Sequence, residues 1–150
     1  MKIFSGICLI LILHQPLALS FEGESSHIPD GPGGEVEQFF SQLIRGEDET
    51  AVMDLFSQSP ISREGSAIEK TASQLKLIRN LYGKIESIEH IDVVYRGKSL
   101  FRLRVLVFYR EFPIRFIFTY YKSPLEQKWI LGYFSFDDQI QRLFDDDPDP

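Results

Sequence analysis

The period of the apolar positions changes once along this chain, near Gly83. Before it they recur at helical spacing. Val36, Phe39, Phe40, Leu43 and Ile44 make one stripe on a helix predicted over 35–45. Glu35 and Glu37 fall in its first turn, where the helix dipole favours negative charge, and Gly46 is its stop. A shorter helix over 48–56 starts at Asp48, a capping residue type, and carries Val52, Leu55 and Phe56 on its apolar side. The third helix opens on the capping box Ser66-Ala67-Ile68-Glu69. Its stripe is Ile68, Ala72, Leu75, Ile78 and Tyr82, with Leu77 and Leu81 beside it.

Beyond Gly83 the period is two, which predicts strands over 84–95, 100–109, 112–121 and 128–136. The turns "RGKS", Arg110-Glu111 and "KSPLEQ" imply consecutive antiparallel pairing, and a short helix over 137–144 closes the chain. If Arg110-Glu111 is a two-residue turn, Val107 faces Ile114, Val105 faces Phe116, Leu103 faces Phe118 and Phe101 faces Tyr120. Each pair is apolar or aromatic, and a one-residue slip would mix arginine into that face. Carried onward, the register sets Tyr120 against Trp129, Phe118 against Leu131 and Phe116 against Tyr133. Carried backward, it sets Tyr95, Val93 and Ile91 against Phe101, Leu103 and Val105. The fold class is therefore α+β, with three N-terminal helices packed on a curved four-stranded antiparallel sheet.

Strand parity puts Arg102, Arg104, Leu106, Phe108, Arg115, Ile117 and Phe134 on the sheet's outer face, with Asp92 opposite Arg104. There the arginine stems cover apolar neighbours while the guanidinium groups stay wet; an anion site is the alternative. Apolar residues mixed with arginine also have the composition of an interface, so either a homodimer pairs through this face or the closing helix, with Ile140, Leu143 and Phe144, folds back over it.

Composition adds the compartment. Residues 1–20 combine Lys2, an apolar run from Ile7 to Leu13 and the small-x-small end Ala18-Leu19-Ser20, the pattern of a leader cleaved near Ser20. The chain is thus expected to be exported, to the periplasm or beyond the cell, with no membrane span after cleavage. The apolar run is short of the roughly 20 residues a span needs. Residues 21–34 read as a flexible linker, 35–144 as the domain and 145–150, "DDDPDP", as an acidic tail. The single cysteine, Cys8, lies in the leader, so the domain has no disulfide, thiol nucleophile or cysteine metal site. A net charge of −6 argues against a nucleic-acid partner.

One stretch, "LYGKIESIEHI", runs from a helix end directly into a strand, and "KWILGYF" is a tryptophan-marked last strand. With three long strands between helix and end, residues 35–136 resemble an exported branch of the nuclear transport factor 2-like superfamily, whose domains are cone-shaped. The resemblance implies a cavity between sheet and helices. Tyr82, Tyr95, Tyr109, Tyr120, Trp129 and Tyr133 would line it and hold a small apolar ligand; the same rings could equally fill the core. Ketosteroid isomerases and dehydratases of that superfamily use a buried carboxylate with tyrosine donors, or a histidine–aspartate pair. Here only Glu89 has cavity-side parity among the carboxylates, and His90 points outward. Phosphate-binding glycine loops, zinc helices and nucleophile elbows are absent from the sequence, and no cofactor or metal is expected. The expected function is a non-catalytic binding or interaction domain. The alternative is a small-molecule isomerase or dehydratase with Glu89 as base and Tyr120 or Tyr133 as donor.

Overall fold

The structure is a computed structural model that describes residues 27–63 and 65–144; the expected leader and acidic tail lie outside them. Three helices come first, α1 (Asp30–Ile44), α2 (Asp48–Phe56) and α3 (Gly65–Tyr82). Four strands follow, β1 (Ile85–Tyr95), β2 (Leu100–Tyr109), β3 (Pro113–Lys122) and β4 (Trp129–Asp137). The sheet is open, curved and antiparallel throughout, in the order β1-β2-β3-β4. The α+β class expected from the change of period is what the chain adopts.

Helix α1 starts five residues earlier than the stripe suggests, so "DGPGG" is its first turn rather than the end of a linker. Pro32 can sit there because a first-turn residue has no intrahelical acceptor for its N–H anyway. It is buried, and Ile28 packs against the core just before it. Helix α3 buries Ala72 and Leu75, half-buries Ile78 and Tyr82, and leaves Leu77 and Leu81 exposed. Gly83 ends it with φ +84, and its N–H reaches the Arg79 carbonyl at 2.9 Å. The expected closing helix is only a 3-10 turn, Ile140–Leu143, since β4 continues through Asp137.

The β2–β3 register is the expected one, from Phe101 opposite Tyr120 to Val107 opposite Ile114. Both edge strands depart from it through bulges, which insert one residue and reverse the parity beyond it. In β1 the pairing jumps at Ile91, so Val93 and Tyr95 keep their expected partners but His90, not Ile91, lies opposite Val105. Ile88 then faces the core and Glu89 lies opposite outward Leu106, which corrects the parity assigned to Glu89. In β4 the jump is at Gly132. Leu131, not Trp129, lies opposite Tyr120; Phe134 meets Phe118 and Phe136 meets Phe116. Phe134 is therefore an inner-face residue and Tyr133 an outer one, the reverse of expectation. At the jumps at Ile91 and Gly132 a strict alternation would have buried Glu89 or Tyr133 and exposed Ile88 or Phe134; β1 shifts register once more between Ile85 and Ser87.

The core lies between the helices and the inner sheet face. Its centre is Phe39 of α1, edge-on to Phe40, Phe116, Phe118 and Phe134 with centroids 5.1–6.2 Å apart. The rings of Phe101, Phe116, Phe118 and Tyr120 are fully buried in the concave face.

Candidate functional site

The six residues expected to line a cone pocket are not brought together. Tyr120 and Phe101 stack at one end of the sheet, with Trp129 edge-on to Phe101 at 4.9 Å and Tyr95 tilted against it at 5.4 Å. Tyr95 is 38% exposed and donates its hydroxyl to the His27 carbonyl at 2.8 Å. Tyr82 and Tyr109 lie at the opposite end, by the β2–β3 turn. Burial, together with the negative charge of Asp48, holds the Tyr109 hydroxyl well above its ordinary pKa. Tyr133 is on the outer face, 41% exposed. Tyr95, Tyr120 and Trp129 each pack on Phe101, Tyr82 packs on Phe112, and the concave face between them is filled by phenylalanine rings.

The expected catalytic pair is also separated, because Glu89 and Tyr133 both point away from the core side. The structure supplies a different carboxylate. Glu35 is half-buried and accepts a hydrogen bond from the Tyr120 hydroxyl at 3.1 Å. Burial raises its pKa above the ordinary 4.5, outweighing the lowering effect of the Tyr120 bond. The Tyr120 hydroxyl is itself raised far above its usual range, by burial first and by the Glu35 charge second, so it remains a donor at neutral pH. Glu35 stands one turn before Phe39 on the buried stripe of α1. That signal was present in the sequence and was masked by placing the helix start at Glu35. With the Tyr120 ring fully buried, the pair ties α1 to β3 and offers no reacting group to a substrate.

On the outer face the arginines find carboxylates across the strands. Arg104 donates to both oxygens of Asp92, its partner in register. Arg115, 1% exposed, donates to Asp137 at 2.8 and 3.1 Å, again a register partner. Burial raises the Asp137 pKa, but the Arg115 and Gln139 hydrogen bonds and the charges of Arg115 and Arg142 outweigh it, and the net shift is downward from 3.8. Ile117 is buried, and Leu106, Phe108 and Arg102 are half-buried. With Phe134 turned inward and two arginines paired inside the chain, this face offers a second copy less than strand parity suggested.

Two surface clefts stand out. One, of about 650 Å³, lies between the N-terminus of α2 and the middle of α3. Its wall carries the Asp48–Arg79 ion pair at 2.6 Å, together with Glu49, Glu69 and Lys76. The other, of about 290 Å³, is a groove between the C-terminal half of α3 and the sheet where β3 starts and β4 ends. Leu77 and Leu81, one turn apart, form its helical wall and are 56% and 61% exposed. Ile78, Tyr82, Ile114 and Phe136 complete the apolar lining, and Asp137 and Asp138 stand at its rim. Phe112 extends the apolar surface beyond Tyr82, at 5.7 Å between rings. Among the described residues no group of three or more histidine, cysteine or acidic side chains could hold a metal ion. No helix among them is long and apolar enough to cross a membrane. The chain matches no known protein family, no curated protein and no solved structure.

Proposed function

We propose that this chain is an exported, non-catalytic interaction domain of the nuclear transport factor 2-like kind. Its working surface is the groove between α3 and the ends of β3 and β4. The observation that carries the reading is the exposure of Leu77 and Leu81 on the wall of an apolar groove, beside a core that buries Leu75 on the same helix. Exposed leucines scattered singly need no explanation; two placed one turn apart over Ile114 and Phe136 form a contiguous surface. The filled concave face supports a surface role over an enclosed ligand site, and the separation of Glu89 from Tyr120 supports a non-catalytic one. The leader-like pattern of residues 1–20 supports export.

The test is site-directed photocrosslinking in the cell that makes the protein. A benzophenone amino acid at position 77 or 81 is expected to yield a discrete protein adduct. The same group at Met53 or Leu125, which are also exposed and lie outside the groove, is expected to yield none. Equal labelling at all four positions would overturn the reading.

A further inference from the structure

We infer that residues 27–35 form a displaceable strap, which opens as a unit while the rest of the domain stays folded and so bares the aromatic end of the sheet. The strap is tied down at two points. The His27 carbonyl accepts from the Tyr95 hydroxyl at 2.8 Å, and the Glu35 carboxylate accepts from the Tyr120 hydroxyl at 3.1 Å. Those two tyrosines flank Phe101, with ring centroids 5.4 and 5.3 Å from it. Phe101 and Tyr120 are 0% exposed, so the segment between the ties closes that end of the core. Few of its own side chains help. Ile28 packs on the core and Pro32 is buried, whereas Asp30 is exposed and Gly31, Gly33 and Gly34 have no side chain to pack.

What makes the strap separable is a weakness that the fold does not require. Neither Gly31 nor Gly34 has a positive φ, and a Cβ on either would meet nothing within 4 Å. Alanine would fit at both, yet the chain carries the poorer helix former. Pro29, at the N-cap, gives the first turn no side-chain hydrogen bond, and Pro32 has no N–H to donate. The helix changes character directly after Glu35, where Val36, Phe39, Phe40 and Leu43 are each at most 4% exposed. Two tyrosine hydrogen bonds and two apolar side chains thus hold the strap, and segments with few buried contacts open below the global unfolding free energy. Ordinary fraying of a helix end would leave both tyrosine bonds made and Phe101 covered; release of the strap breaks the one and bares the other. The groove plays no part, since it lies at the opposite end of the sheet, where β3 starts and β4 ends.

Amide hydrogen exchange of the full chain, read residue by residue by NMR, tests this. Gly33, Gly34 and Glu35 are expected to exchange about tenfold or more faster than Phe39 and Phe40. Gly31→Ala with Gly34→Ala should slow the strap amides about tenfold or more. Leu75→Ala, which weakens the core elsewhere, should speed Phe39 and Phe40 and leave the strap amides as they were. A naphthalene sulfonate dye reports the bared rings. Ile28→Ala, which cuts an apolar anchor of the strap, should raise dye binding severalfold, and the two alanines at 31 and 34 should lower it. The rise should persist when Leu77→Gln and Leu81→Gln remove the groove leucines. Near-UV circular dichroism confirms that each variant keeps its packing. Strap amides that follow Leu75→Ala as closely as Phe39 and Phe40 do would show that the segment opens only with the whole domain, and would overturn the inference. Strap amides that respond while dye binding stays flat in every variant would reduce the effect to fraying, which overturns it equally. A dye response that vanishes with the groove leucines would place the dye in the groove and have the same consequence.

Discussion

Two ionisable pairs show how individual residues set opposite pH dependences. Glu35 has a folded-state pKa above its ordinary 4.5, so the folded protein binds the proton more tightly than the unfolded chain. Its burial cost is present at neutral pH and relieved as pH falls toward 4.5. The stability of wild type relative to Glu35→Gln should therefore rise over that interval in urea titrations; a flat difference would contradict the burial of its charge. Asp137 behaves in the reverse sense. Its folded pKa lies below 3.8, so its contribution is present above 3.8 and lost as pH falls through the lower folded value. Asp137→Asn should thus carry a constant penalty from neutral pH down to about 4, shrinking only below that. Its partner Arg115 is the larger liability, being fully buried. Arg115→Met keeps the stem and strands the Asp137 carboxylate, at a cost of about 2–3 kcal/mol, reduced from the fully buried case because Asp137 still touches water. The double variant Arg115→Met, Asp137→Asn should recover part of that loss. Equal midpoints for the single and double variants would show that the charge pair is not what holds Arg115.

At the scale of elements, what was legible in the sequence was what obeys a single period. The central hairpin β2–β3 alternates without interruption over both strands, and its register follows from pairing alone. The bulged edge strands do not obey one period, and there the expectation for Glu89, Tyr133 and Phe134 failed. In β4 the trace left by the bulge is a spacing of three between apolar inner-face residues, Leu131 and Phe134; in β1 the corresponding step is His90 to Val93, and the exposed histidine hides it. A period of two treats those as noise. The start of α1 was hidden for another reason, since glycine and proline in "DGPGG" are loop formers by propensity and a first turn tolerates both. The β4 bulge can be tested at Gly132. A Cβ there would lie 3.0 Å from the Tyr121 ring, tighter than an ordinary carbon contact, so that the ring must give by a few tenths of an ångström. Gly132→Ala should cost about 1–3 kcal/mol in chemical denaturation, the range for overpacking. Tyr121→Ser should rescue much of it, giving a non-additive cycle. Additive effects would place the strain elsewhere.

On the scale of the whole molecule, one helix serves two surfaces, and the difference between them bears on function. Helix α3 contributes Leu75 to the core at 1% exposure and Leu77 and Leu81 to the groove at more than half exposure. If the groove leucines were retained for stability, replacing them would harm folding. Their burial within the chain is slight, so Leu77→Gln and Leu81→Gln should each change the unfolding free energy by no more than about 0.5 kcal/mol, as for ordinary surface positions. Leu75→Ala, two residues away, removes side-chain volume from beneath the helix and should cost about 2–5 kcal/mol. Thermal and urea unfolding of the three variants, with wild type, reads both numbers on one element. A large loss from the groove pair would mean that these leucines are covered in the folded chain and that the groove is closed. The expected contrast, a near-neutral pair beside a damaging core substitution, is the stability result that an exposed interaction surface on α3 requires, and it separates the groove leucines from the packing that holds the helix.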